Sequence, residues 1–316
     1  MSKKIFVTGG SGFIGSAIVK KFIYDGFDVT VLDNNSRGNL DRLKDVEGHF
    51  EFIEGDVRDE KNFKNLSGFE SIVHLAYVNG TKYFYQIPYD ILDIGIQGML
   101  NVMNSIKKFN IQKLVFASTS EVYQKPNLIP TPENINLVVP DILNPRYSYG
   151  GGKIASELLS VNYAKQYGLD LKVFRPHNVY GPNMGYEHVI PEIIYKVLQS
   201  LDGKVEMQGD GSDTRAFIYI DDFIHAFDLV FNDSSNNMIF NIGNMEEVNI
   251  SEIYQKIIIE TNKSIELIPG SSPKGATNRR CPDNTMIKEL GYSQQVSLDE
   301  GIKKTYQWYF NKFKEL

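Results

Sequence analysis

The chain has very little cysteine. Cys281 is the only one in 316 residues, so no internal disulfide can form and a zinc ribbon is excluded. That usage suits a reducing compartment, and the default expectation is a cytoplasmic protein. Long hydrophobic runs are missing too. No segment stays apolar over about 18 residues, so no membrane-spanning helix is expected. Lys3 and Lys4 precede an apolar stretch, as in a signal peptide, but Gly9, Gly10, Gly12 and Gly15 interrupt it, and Lys20 and Lys21 follow. The stretch reads as strand, turn and helix. Positive charge is also scarce: 33 lysines and arginines against 39 acidic residues give a formal charge of −6. A protein that grips a nucleic-acid backbone needs a basic stripe, so nucleic acid is not an expected partner. There are only five histidines, and no pair of them has metal-ligand spacing beside carboxylates, so no metal site is expected. What remains is an ordinary globular composition, 42% hydrophobic and 23% charged, in a chain long enough to bury a core without staples.

At roughly 150 residues per domain the length corresponds to about two domains. Short apolar runs at 4–8, 28–33, 50–56, 71–76, 113–118 and 169–174 read as strands, and 13–24, 88–109 and 147–167 have helical spacing. Such alternation predicts βαβ units and a parallel sheet covered on both faces, a Rossmann-type doubly wound α/β fold. After Pro176 glycine, proline, asparagine and aromatics become frequent and the alternation is lost. The expected division is a dinucleotide-binding domain, 1–176, and a smaller mixed α/β domain, 177–316. An element near 217–243, with a strand at 238–242, is expected to return to the sheet. Residues 251–260 and 297–310 read as helices.

Thr8-Gly9-Gly10-Ser11-Gly12-Phe13-Ile14-Gly15 joins the first strand to the first helix. Gly9, Gly12 and Gly15 permit a tight turn, close approach to a pyrophosphate and close helix packing. The first helical turn, with Phe13 and Ile14, offers N–H groups and a positive dipole end to phosphates. Asp33 ends the second strand, 18 residues past Gly15. A carboxylate there accepts from a ribose 2′-hydroxyl and repels a 2′-phosphate, which favours NAD over NADP; Arg37 nearby weakens that preference. Asp56 and Val57, after the third strand, are candidates for adenine contact.

Tyr149 and Lys153 are four apart and share one helix face. A lysine ammonium or a cationic nicotinamide near a phenol favours the phenolate, which makes a usable base. Ser118-Thr119-Ser120-Glu121 follows the fifth strand, and α/β sheets place their sites at such carboxyl ends. The Thr119 hydroxyl is a candidate to hold a substrate hydroxyl while Tyr149 deprotonates it. Glu121 adds a carboxylate able to move a second proton.

The order TGGSGFIG, Asp33, HLA at 74–76, STSEVY at 118–123, YGGGK at 149–153 and RPHNVYGP at 175–182 resembles the extended short-chain dehydrogenase/reductases, in particular their nucleotide-sugar epimerase/dehydratase branch. The likeness continues through TRAFIYIDD at 214–222, NRRCPD at 278–283 and SLDEGIKKTYQWY at 297–309. It implies an NAD-dependent enzyme acting on a nucleotide-diphosphate sugar through transient C4 oxidation to a 4-keto sugar. Tyr149 is then the base, Lys153 orients the nicotinamide ribose and lowers the tyrosine pKa, and Thr119 assists. Asn178, Arg215 and Arg280 match substrate-binding positions; a guanidinium fork suits a diphosphate. The triplet Thr119-Ser120-Glu121 resembles that of dehydratases and decarboxylases, and Tyr83-Phe84-Tyr85 resembles a tyrosine-rich stretch of uronic-acid decarboxylases. The remaining readings are a 4-epimerase without a second base, a uronic-acid decarboxylase, a net C4 dehydrogenase and a non-catalytic dinucleotide sensor. The resemblance also implies a homodimer through the helices at 88–109 and 147–167, with Ile91, Ile94, Met99, Ile154, Leu158 and Val161 as apolar residues beyond one core stripe. Two departures stand out: Gly95 occupies the place of a usual asparagine, and Tyr77-Val78-Asn79-Gly80-Thr81 replaces an alanine-rich continuation after HLA.

Overall fold

A computed structural model describes residues 3–235, 238–271 and 278–315. The first half runs β1 (Lys4–Thr8), α1 (Phe13–Tyr24), β2 (Asp28–Asp33), β3 (Phe50–Glu54), β4 (Phe69–His74), α2 (Thr81–Gln86), α3 (Pro88–Phe109), β5 (Lys113–Ala117), α4 (Ser148–Tyr167) and β6 (Asp170–Pro176), with only short 3-10 helices, Leu40–Val46 and Glu60–Phe63, between β2, β3 and β4. There follow β7 (Val179–Tyr180), α5 (Val189–Gln199), β8 (Lys204–Glu206), β9 (Thr214–Ala216), β10 (Ile218–Tyr219), α6 (Ile220–Asn232) and β11 (Ile239–Ile242). The rest comprises β12 (Glu247–Asn249), α7 (Ile250–Thr261), β13 (Glu266–Ile268), β14 (Arg279–Arg280), α8 (Thr285–Glu289) and α9 (Leu298–Lys314).

The central sheet runs β11-β6-β5-β4-β1-β2-β3, and the registered pairs from β6 to β3 are all parallel. The chain moves outward from β1 through β2 to β3, then restarts at β4 on the other side of β1. That reversal opens the crevice where doubly wound sheets place their ligands. The strands are nearly continuous apolar runs because helices cover both faces. Phe6, Ile72, Leu114, Phe116 and Val173 are fully buried, with Met99 and Val102 of α3 packed into the same core.

The chain forms two compact units that interleave in sequence. The first comprises 1–124, 136–175 and 230–240; the second comprises 125–135, 176–229 and 241–316. The segment 125–135 thus groups with the C-terminal half although it precedes α4. In the second unit α5, α7 and α9 pack on one another beside short strand pairs. Strand–helix alternation continues past Pro176 further than the sequence reading held. Helix α5 was hidden by Pro191, which sits harmlessly in the first turn, where its missing N–H costs nothing. Helix α6 follows β10 without a turn signal. Among the described residues no helix is long and apolar enough to cross a membrane.

Candidate active site

Parallel register sets the site. Thr8 of β1 is level with His74 of β4, and His74 with Phe116 of β5, so the glycine turn, the segment after His74 and the segment after Ala117 emerge from one edge. Gly9 has φ +76°, and a Cβ there would lie 2.6 Å from the Ala76 nitrogen. A Cβ on Gly15 would lie 2.1 Å from the Gly9 carbonyl oxygen. Only glycine fits either position, and α1 therefore starts tight against the strand ends. Gly12 caps α1 without a side chain, so no side-chain acceptor covers the first turn that Phe13 and Ile14 open. Asp33 is tied to this turn: its two carboxylate oxygens accept from the backbone N–H of Ser11 at 3.0 Å and of Asn35 at 2.9 Å. Gly38, which the sequence reading did not single out, packs where a Cβ would meet the Asp33 carboxylate at 3.1 Å and Ser11 Oγ at 1.8 Å. This cradle fits a dinucleotide diphosphate and its neighbouring ribose. Arg37 turns to the ring of Tyr83, 4.7 Å away, and donates to its hydroxyl. Asp56 is held by Arg58 and Asn34, and the Arg58 hydrogen bonds keep its carboxyl below the usual range. Val57 is buried, packed where a Cβ on Gly98 would meet it.

The Thr119 hydroxyl accepts from the Glu121 N–H at 3.1 Å, and Thr119 lies beside Tyr149. Tyr149 lies in an aromatic box: Phe84 stacks on it at 5.1 Å and Tyr77 meets it edge-on at 5.1 Å. Burial pushes the phenol well above its ordinary pKa; the neighbouring Thr119 opposes this, and the Glu121 charge reinforces it. Lys153 Nζ donates to the Ala117 carbonyl at 2.6 Å and is 1% exposed. Burial pushes it down to about 7, partly offset by Glu157. Lys153 was expected to lower the tyrosine pKa. Here the ammonium is turned to a strand carbonyl, and burial is the largest influence on the phenol. His74 is locked neutral, pushed to about 3 chiefly by burial, with Thr8 Oγ1 2.7 Å from its Nδ1.

The glycines of YGGGK have separate tasks. A Cβ on Gly150 would lie 3.1 Å from the Glu121 carbonyl, and one on Gly152 would lie 2.1 Å from the Tyr77 hydroxyl. Behind them Arg175 forms a buried fork with Glu157 at 2.9 and 2.6 Å and donates to the Tyr123 hydroxyl at 2.6 Å. Ser118 donates to the same Glu157 carboxylate, so the network anchors both ends of the Ser118–Tyr123 segment. The sequence reading passed over this group, although a lone arginine ending an apolar strand signalled it.

In the second unit Arg280 of β14 is in register with Arg215 of β9. Paired residues of parallel strands project to one side, which brings two cationic side chains together. Arg215 donates to the Thr214 and Asn278 carbonyls. Asn178, at φ +43°, donates to the Ala216 carbonyl at 2.8 Å. Cys281 is buried and its thiol pushed up to about 12 chiefly by burial, which disfavours the nucleophilic thiolate.

A doubly wound parallel sheet with a glycine cradle at its switch point and a Thr–Tyr–Lys group beside it defines a short-chain dehydrogenase/reductase. The model of the NAD dependent epimerase/dehydratase family matches residues 5–243, and the chain belongs to that family. It is 32% identical over 320 residues to a UDP-N-acetyl-alpha-D-glucosaminuronate decarboxylase of Bacillus cytotoxicus, covering 98% of each chain. It is also 32% identical over 320 residues to a UDP-glucose 4-epimerase of Mycolicibacterium smegmatis, covering 98% of this chain and 99% of that one. Among solved structures, a Thermotoga maritima UDP-glucose 4-epimerase with UDP-glucose superposes with TM-score 0.88 at 30% identity, covering 98% of this chain and 99% of that one.

Proposed function

We propose that the protein modifies a nucleotide-diphosphate sugar by oxidising C4 to a ketone and then moving a proton on the activated ring. The carrying observation is the setting of Tyr149: boxed by Phe84 and Tyr77, one helical turn before the buried Lys153, with the neighbouring Gly150 packed on the Glu121 carbonyl so that the Ser118–Tyr123 segment lies against its helix. NAD, when bound, supplies the hydride acceptor and a positive charge that favours the phenolate. The cradle of Gly9, Gly12 and Gly15 with the first turn of α1 would hold its diphosphate, and Asp33 its ribose. Tyr149 takes the proton of the C4 hydroxyl, Thr119 holds that hydroxyl in line, and Lys153 holds the nicotinamide ribose. Arg215 and Arg280 bind the substrate diphosphate, with Asn178 near the sugar. A C4 ketone acidifies protons at C3 and C5 and makes a C6 carboxylate a leaving group. Glu121 is our candidate for the proton step.

The second reading is a plain 4-epimerase, favoured by the likeness to UDP-glucose 4-epimerases. A panel of UDP-, GDP-, dTDP- and CDP-sugars followed by NMR in D2O separates the two. The proposal expects a product with deuterium on carbon or with CO2 lost, and no turnover from Tyr149→Phe. A C4 epimer free of deuterium would overturn the proton step and install the epimerase.

A further inference from the structure

The two departures from the family pattern, at Gly95 and at Tyr77, meet in space. Tyr77 leaves the end of β4 and points its hydroxyl into a notch between α3 and α4. A Cβ built on Gly95 would lie 2.2 Å from that hydroxyl, and one on Gly152 would lie 2.1 Å from it. The notch exists because both helices carry glycine where they face Tyr77. The ring then lies under the Lys153 ammonium, 4.1 Å from Nζ, and edge-on to Tyr149. No other residue touches both members of the Tyr149–Lys153 pair in this way among the contacts given above.

We propose that Tyr77 is a positioning residue for the reaction: keyed between Gly95 and Gly152, its ring seats the Lys153 ammonium and braces Tyr149. The inference rests on the reading that Tyr149 and Lys153 are catalytic, but the seat itself is a property of the fold. Lys153 faces the Ala117 carbonyl and the Phe116 ring from β5, His74 from β4, Glu157 on its own helix, and Tyr77. A π-face in a dry site favours the charged ammonium. Removing the face without admitting water therefore lowers the lysine's pKa.

The test is a 13Cε-lysine NMR titration of the purified full chain saturated with NAD, with Lys153 assigned through Lys153→Arg. Tyr77→Leu keeps an apolar filling and removes the π-face, and it should lower the Lys153 pKa by about one unit, a tenfold change in the charged-to-neutral ratio. Tyr77→Phe keeps the ring and should leave the value in place. Gly152→Ala supplies a second route that does not depend on Tyr77→Leu folding. Its methyl meets the Tyr77 hydroxyl, whereas the ring carbon bearing that hydroxyl lies 3.5 Å off, an ordinary contact, and Leu92 Cδ2 at 3.3 Å is the end of a side chain that can give by the few tenths of an ångström required. Gly152→Ala should therefore move the Lys153 titration, and adding Tyr77→Phe should restore it. An unchanged titration in Tyr77→Leu, or no restoration in the double variant, overturns the seat. The readout needs no turnover, so a failure of the catalytic reading would show separately, as an active Tyr149→Phe enzyme.

Discussion

At the scale of the residue the site is governed by burial. Tyr149 is enclosed between Phe84 and Tyr77, and its phenol titrates high for that reason first. Glu121 adds to the rise, so its charge has a calculable sign. Glu121→Gln removes a repulsion from the phenolate, and the acid limb of the C4 oxidation step should move to lower pH. The same substitution deletes the base for the ring proton. We expect oxidation to persist, reduced nicotinamide absorbance to accumulate with a keto-sugar, and complete turnover to fall about 10²–10⁴-fold. Stopped-flow absorbance across pH measures both effects. Wild-type turnover in Glu121→Gln would remove this residue from the reaction.

At the scale of the element, α4 buries a polar stripe where a helix ordinarily buries an apolar one. Tyr149, Lys153, Ser156, Glu157 and Ser160 are all buried, while Leu158 is 61% exposed. The stripe is stable because its charged groups have partners, Glu157 in Arg175 and Lys153 in the Ala117 carbonyl. Arg175→Met would leave a buried carboxylate without its fork and should cost about 3–5 kcal/mol in urea unfolding. The double variant Arg175→Met/Glu157→Leu replaces the pair by apolar volume and should recover part of that loss. A double variant less stable than Arg175→Met would refute the pairing argument. The loss should also reach the site, since Ser118 and Tyr123 hang on the same pair.

At the scale of the whole molecule the outer faces of α3 and α4 bear on assembly. Ile91 and Met99, expected among the residues free for a partner, are fully buried in the core. Ile94 and Val161 pack against the core as partly buried residues. The aliphatic residues most exposed on the two helices are Ile96 at 37%, Leu100 at 38%, Leu158 at 61% and Leu159 at 36% exposure. The two helices pack on each other, so these residues belong to one helical pair. We propose a homodimer through this face. Light scattering at micromolar concentration should give twice the 35.9 kDa chain mass, and Leu158→Glu with Leu100→Glu should return the monomer. A monomeric wild type would end this proposal.

Features that lie within one short stretch of chain were legible in the sequence. The glycine turn, Asp33 after β2, and Tyr149 one helical turn before Lys153 are set by local spacing, and the strand–helix alternation before Pro176 follows from periodicity alone. Where the chain meets itself, spacing carries no signal. Tyr77 and Gly95 read in the sequence as unrelated departures and Gly152 as part of a motif; only packing shows one side chain and the two missing ones that admit it. Arg215 and Arg280 become neighbours only through the register of β9 and β14. Lys153 and Glu157 sit one turn apart on a visible helix, yet burial decides that the first titrates near 7 and the second pairs with Arg175. Local sequence determined which groups the protein carries and on which elements. The tertiary structure decided which of them are dried, paired and brought within reach, because desolvation and contact exist only after segments distant in the chain have closed on one another.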